Sequence, residues 1–150
     1  MPAHHLFLPA AGRGARMNAP LPKQYLRVGD RTILEHTLAA FADFPFATRT
    51  LGIAPDDVDF QALRLMPHFP QNIQCSRGGA ERADTVRLGL AHIARHAAPD
   101  DWVWVHDAAR PCLSQAMLAA LCDELADDPV GGILAVPVAD TLKRADAAQR

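Results

Sequence analysis

The sequence predicts an α/β domain on a mostly parallel sheet, with helices on both faces. Three observations carry this. Short apolar runs alternate with segments of helical periodicity. The 150 residues suit one domain with a sizeable core. At 49% hydrophobic and 21% charged, the composition is that of an ordinary soluble globular protein, so residues 1–150 are read as one unit.

Residues 5–8 form the first expected strand. Residues 32–44 are expected to be helical: Thr32 with Glu35 three positions on makes a capping box, and Leu34, Leu38 and Phe41 share a face. Strands are expected at 50–54 and 73–75. The strongest helix signal, 82–97, carries a stripe of Val86, Leu90, Ile93 and Ala97. A strand at 102–106 and a helix capped by Ser114 and running to about Leu125 follow. The last expected strand is 132–137.

Charge and cysteine usage narrow the classes. A net charge of -2 and a pI near 6.4 give no global field for nucleic acid or an anionic membrane, so anion binding must come from local cations. Cys75, Cys112 and Cys122 are spaced neither as a disulfide framework nor as a zinc pattern, which fits a reduced, cytoplasmic setting. No basic leader or membrane-length apolar run is present, and the protein is expected to be soluble.

The segment Leu8-Pro9-Ala10-Ala11-Gly12-Arg13-Gly14-Ala15-Arg16-Met17, then Pro22-Lys23-Gln24-Tyr25, concentrates phosphate-binding features. Small residues let backbone N–H groups approach a polyphosphate, and Arg13, Arg16 and Lys23 supply fixed positive charge. It is not a P-loop, since no Gly-Lys-Ser/Thr follows. Nor is it a dinucleotide fingerprint: Met17 stands at the third glycine, and Pro20 and Pro22 obstruct the receiving helix.

Ligands of open α/β sheets bind beyond the carboxyl ends of the strands, where His106-Asp107-Ala108-Ala109-Arg110-Pro111 also falls. Asp107 suits Mg²⁺, and Arg110 suits a bidentate phosphate contact. Taken singly, Asp107 reads as a turn cap and Arg110 as half of a surface ion pair; beside the cationic loop the phosphate reading prevails. Gly78-Gly79 leads into the long helix. It is either a plain turn or a close approach for a base or ribose, with the Thr85 hydroxyl in the first helical turn. His92 and His96 are read as a solvated helix face, His4-His5 as an exposed start, Cys112 as a packing residue, and Trp102 and Trp104 as sheet packing.

Beyond these segments, Thr32-Ile33-Leu34-Glu35-His36, Gly78-Gly79-Ala80-Glu81-Arg82-Ala83-Asp84-Thr85-Val86 and Gly131-Gly132-Ile133-Leu134-Ala135-Val136-Pro137-Val138-Ala139-Asp140-Thr141-Leu142-Lys143-Arg144 follow in order. The sequence closely resembles the 2-C-methyl-D-erythritol 4-phosphate cytidylyltransferases over nearly its whole length. The resemblance implies a Rossmann-like nucleotidyltransferase domain of the non-mevalonate isoprenoid pathway. Such enzymes use CTP, Mg²⁺ and 2-C-methyl-D-erythritol 4-phosphate, release pyrophosphate, and are cytoplasmic homodimers. It implies that Arg16 and Lys23 are catalytic. Pro9, Ala10, Ala11, Gly12, Arg13 and Gly14 would wrap the triphosphate and cytidine. Gly79, Ala80, Thr85 and Ala108 would hold the nucleotide, and Asp107 would serve nucleotide, substrate and metal. Arg110 and Thr141 would contact the sugar phosphate. Sister enzymes acting on ribitol 5-phosphate share the first loop and the Pro-Lys-Gln segment, but tend to differ at His106–Pro111.

The chain ends at Arg150 with no closing element, and is expected to stop partway through a larger protein. Relatives of the resembled family continue into an exchanged β-arm, whose start is expected near 138–150, and add further substrate-binding residues after it. Two alternatives stay open beside the erythritol reading: a ribitol-phosphate enzyme, and a catalytically inactive nucleotide-binding fragment.

Overall fold

The computed structural model describes residues 2–12 and 21–140. Expectations for Arg13, Gly14, Arg16 and Thr141 lie outside the described residues. The chain divides into two compact units, 1–115 and 116–150.

The first unit is a parallel sheet in the order β5-β4-β1-β6, made of β1 (His4–Pro9), β4 (Thr48–Ile53), β5 (Ile73–Arg77) and β6 (Trp102–Val105). A two-stranded antiparallel ribbon, β2 (Arg27–Val28) and β3 (Arg31–Thr32), lies between β1 and the first helix in sequence. Its helices are α1 (Ile33–Ala40), α2 (Val58–Arg64) and α3 (Arg82–Ile93). The chain steps outward from β1 to β4 to β5, then crosses to β6 on the other side of β1. That reversal leaves a crevice beyond the carboxyl ends of the strands, where ligands of open α/β sheets bind.

The sheet is covered on both faces, as the sequence predicts. Leu6, Phe7 and Leu8 are fully buried at its centre. Phe7 points toward α3, where its ring fills the space left by Gly89; a Cβ on Gly89 would collide with that ring. Trp104, in register with Leu6, packs against Phe44 in a tilted ring contact at 5.0 Å between centroids, so the turn after α1 covers the opposite face.

Gly89 corrects the expected helix stripe. The buried face of α3 is Thr85, Gly89 and Ile93, while Leu90 is 38% exposed. Close approach of the helix to Phe7 outweighs the larger side chains in choosing the face. Alanine at 89 is expected to destabilise the fold by about 1–3 kcal/mol through overpacking, overriding the roughly 1 kcal/mol of helix propensity it gains. A lowered urea midpoint would show it.

The capping box on α1 is present: the Glu35 N–H donates to Thr32 Oγ1, and Glu35 Oε2 accepts from the Thr32 N–H at 2.7 Å. Burial raises the Glu35 carboxyl. The Thr32 hydrogen bonds and the His68 ring, 2.7 Å from Oε1, outweigh it and hold the group below its usual range. A depressed carboxylate contributes stability above its unfolded value and loses it as pH falls through the folded one. Glu35→Gln is therefore expected to flatten the acid limb of the stability curve below about pH 4.5, as read from denaturant midpoints at stepped pH.

Other expectations are corrected. His5 is buried, not an exposed start: its ring bonds Thr48 Oγ1 at 2.8 Å and Asp101 Oδ2 at 3.2 Å. His4 accepts from the Trp104 indole. Helix α2 was not anticipated, although Asp57, which accepts from the Phe60 N–H, is a standard N-cap before the buried pair Phe60 and Leu63.

In the second unit, helix α4 (Gln115–Glu124), which begins at the last residue of the first, buries Leu118. Asp128 then accepts from the N–H groups of Val130 and Gly131. Residues 132–137 do not form the expected strand: they have no ladder, and Ile133 and Val136 are each 85% exposed. A strand exists only by pairing, and this unit has no other strand among the described residues to pair with.

Candidate active site

Three loops gather at the carboxyl end of the sheet. The first leaves β1. Pro9 ends the strand, Ala10 is buried with its N–H on the Gly52 carbonyl, Ala11 is half-buried, and Gly12 is exposed. The second leaves β5, where the Gly78 N–H donates to the Ile53 carbonyl at 2.7 Å. A Cβ on Gly78 would strike Ala11, and one on Gly79 would strike Asp84. Both glycines are therefore required by loop-on-loop and loop-on-helix packing, a reason that the sequence reading did not supply.

Thr85 stands behind this second loop. Its hydroxyl accepts from the Gly79 N–H at 3.0 Å and donates to the Glu81 carbonyl at 3.1 Å, and the residue is 2% exposed. It shapes the loop from within, while Ala80 is exposed at the tip.

The third loop follows β6. Arg110 N–H closes a turn on the Asp107 carbonyl, and the His106 ring Nε2–H donates to the Arg110 carbonyl at 2.8 Å. Ala108 is buried in the floor. Asp107 is the electrostatic centre. Arg82 brings Nε at 3.1 Å and Nη2 at 2.8 Å to Oδ1, and Arg110 brings Nε at 2.8 Å to Oδ2. Partial burial raises the Asp107 carboxyl, but the Arg82 hydrogen bonds and the charges of Arg82 and Arg110 hold it below the usual carboxylate range. The group is ionised at neutral pH.

The sequence reading missed Arg82 as a site residue, although it stands in the quoted Gly78–Val86 motif. Because it opens α3 directly after the second loop, its side chain ties that loop to the third. The reading also missed what Gln24 and Tyr25 do. They sit in a 3-10 turn, Lys23–Tyr25, with both side chains buried. Gln24 Nε2 donates to the carbonyls of Ala10 at 2.9 Å and Gly12 at 3.1 Å, and the Tyr25 hydroxyl donates to Asp57 at 2.7 Å. Burial and that bond push the Tyr25 hydroxyl well above its ordinary range, so it remains a donor. Two buried anchors thus hold the turn that presents the exposed Lys23.

The donor set suits a hard divalent cation. Two guanidinium N–H groups occupy Oδ1 of Asp107 and one occupies Oδ2, so among the described residues Oδ2 keeps a lone pair free. Mg²⁺ takes one or two carboxylate oxygens and completes its shell with water and phosphate oxygens. Among the described residues no cluster of three His, Cys, Asp or Glu side chains forms an all-protein cage. A groove of about 530 Å³ is lined by Ile53, Phe60, Arg64, Cys75 and Arg77, and none of Asp107, Gly79 and Lys23 borders it.

Comparison with known proteins shows the family. The sequence profile of the 2-C-methyl-D-erythritol 4-phosphate cytidylyltransferases matches residues 4–150. The protein of that name from Dechloromonas aromatica (strain RCB) is 54% identical over 156 aligned positions, covering 100% of this chain and 66% of the relative. That of Pseudomonas fluorescens is 53% identical, covering 97% of this chain and 62% of the relative. A crystal structure of a 4-diphosphocytidyl-2C-methyl-D-erythritol synthase superposes with a TM-score of 0.81 at 37% identity, over 99% of this chain and 66% of that one. The chain spans just under two thirds of the length of these relatives. The chain belongs to the 2-C-methyl-D-erythritol 4-phosphate cytidylyltransferase family.

Proposed function

We propose that the protein transfers CMP from CTP to 2-C-methyl-D-erythritol 4-phosphate, giving 4-diphosphocytidyl-2-C-methyl-D-erythritol and pyrophosphate. The observation that carries this is the meeting of three loops at the switch point around one ionised carboxylate and two arginines, in a chain of this family. The substrate's phosphate is already anionic at neutral pH, so no general base is required. Its oxygen attacks the α-phosphorus in line, a new P–O bond forms, and the bond to the β-phosphoryl oxygen breaks as pyrophosphate takes the electron pair.

Catalysis then reduces to positioning and electrostatics. Pro9, Ala10, Ala11 and Gly12 line the nucleotide loop, which Arg13 and Gly14 continue. Gly79 and Ala80 face the base and ribose, with Thr85 acting through Gly79 and Ala108 flooring the site. Lys23 and Arg16 offset the charge that develops on the α-phosphoryl oxygens. Arg110 has guanidinium N–H groups beyond the one on Asp107, and with Thr141 receives the sugar phosphate. Asp107 holds Mg²⁺, which when bound neutralises phosphate charge. Homodimerisation through a β-arm beginning near 138–150 and a cytoplasmic location complete the proposal. Among the described residues no helix is long and apolar enough to cross a membrane, which is compatible with that location.

A pyrophosphate-release assay with CTP and Mg²⁺ tests the reading. Release dependent on methylerythritol phosphate is the expected result. Preference for ribitol 5-phosphate would transfer the assignment to the sister activity. CTP binding without release under either substrate would leave a nucleotide-binding domain.

A further inference from the structure

We infer that Gln24 is a positioning residue for the nucleotide: its buried amide sets the orientation of the β1 loop and thereby aims a backbone N–H at bound phosphate. This rests on reading the loop as the triphosphate cradle. Gln24 is 4% exposed, and a single Nε2 reaches two carbonyls of the loop, Ala10 and Gly12. A trans peptide holds its C=O and N–H on opposite sides. With the Ala10 carbonyl drawn inward to Gln24, the N–H of Ala11 in the same peptide unit turns away from the interior.

Among the described residues that N–H has no partner. Carbonyls facing in and amides facing out are what a loop needs to receive an anion. The same amide couples the cradle to the turn that carries Lys23, so one side chain places both the neutral donors and the cation. Only a side chain with two N–H donors at this length does this; a carboxylate of the same shape would face both carbonyls with lone pairs.

The test compares Gln24→Met and Gln24→Glu with Phe69→Leu, which thins the buried packing of Phe69 on Phe60 before the start of β5, at the end of the sheet away from the three loops. CTP affinity is measured by calorimetry, and the thermal midpoint is recorded for each variant. Both Gln24 variants are expected to bind CTP at least tenfold more weakly than the unaltered chain. In Gln24→Met the Ala11 amide resonance shifts more than that of Gly79. Phe69→Leu is expected to lower the midpoint but keep CTP affinity within twofold. The inference is overturned if either Gln24 variant that folds binds CTP within twofold of the unaltered chain. It is equally overturned if affinity falls in step with the midpoint across all three variants. Absence of CTP binding in the unaltered chain would instead remove the nucleotide reading, and the inference with it.

Discussion

Replacing Lys23 by alanine is expected to lower the rate of CTP-dependent pyrophosphate release by about 10²–10³-fold, the scale of losing one preorganised electrostatic donor. The unfolding midpoint should stay within experimental error. That separation follows from how the turn is built. Lys23 is exposed, while Gln24 and Tyr25 on its C-terminal side carry the burial and the hydrogen bonds that hold the turn. The lysine contributes charge at a fixed place and little to folding. Single-turnover measurement with saturating CTP isolates the chemical step. An unchanged rate would remove Lys23 from the assigned role, and a lowered midpoint would show that it is structural instead.

Asp107→Asn carries the second large effect, and it divides differently. The asparagine keeps the size and one acceptor oxygen, but it leaves Arg82 and Arg110 facing each other with no anion between them. Arg82 is 64% exposed and Arg110 73% exposed, so the two pairs are largely solvent-screened and their loss should cost at most about 1 kcal/mol. The functional cost is larger: the Mg²⁺ concentration for half-maximal CTP binding is expected to rise about 10–100-fold. Since the Asp107 carboxyl is held below its ordinary range, it is ionised throughout neutral and alkaline pH. The Mg²⁺ dependence of the unaltered chain should therefore be flat between about pH 7.5 and 9, above the second ionisation of the CTP terminal phosphate at about pH 6. Titrating Mg²⁺ against CTP binding at both ends of that range checks the affinity and the flatness together.

The fold was legible where local chemistry and burial agree. The capping box at Thr32 and Glu35, the β-branched and apolar runs of β1, β4 and β6, and the glycine-led entry into α3 all read directly. Legibility failed where packing overrode local pattern. On α3 the face chosen is the one with Gly89, because a ring from the sheet has to fit against it, and no count of apolar side chains along the helix reveals that. Residues 132–137 have the composition of a strand but, among the described residues of their own unit, no neighbour to pair with, and composition does not carry pairing.

The site divides the same way. Asp107, Lys23 and the glycines were legible because charge and missing side chains leave marks in a sequence. The supporting contacts were not. Gln24 to the Ala10 carbonyl, Thr85 to the Gly79 N–H, and Arg82 to Asp107 join residues 6 to 25 positions apart, and they form only once the loops and elements that carry them have folded. His5 shows the same limit: its partners Thr48 and Asp101 lie 43 and 96 positions away, so it looked unpartnered. Motif residues show in the sequence by their charge or missing side chains, whereas the shell that holds them is a property of the fold.

The central claim is that the loops after β1, β5 and β6 form one nucleotide site, and amide resonances followed during CTP titration in the presence of Mg²⁺ test it most directly. Ala11, Gly12, Gly79 and Ala108 are expected to shift together along one saturation curve, while Arg64 and Cys75, in the groove beside Phe60, stay in place. Shifts confined to that groove, or separate curves for the three loops, would contradict it.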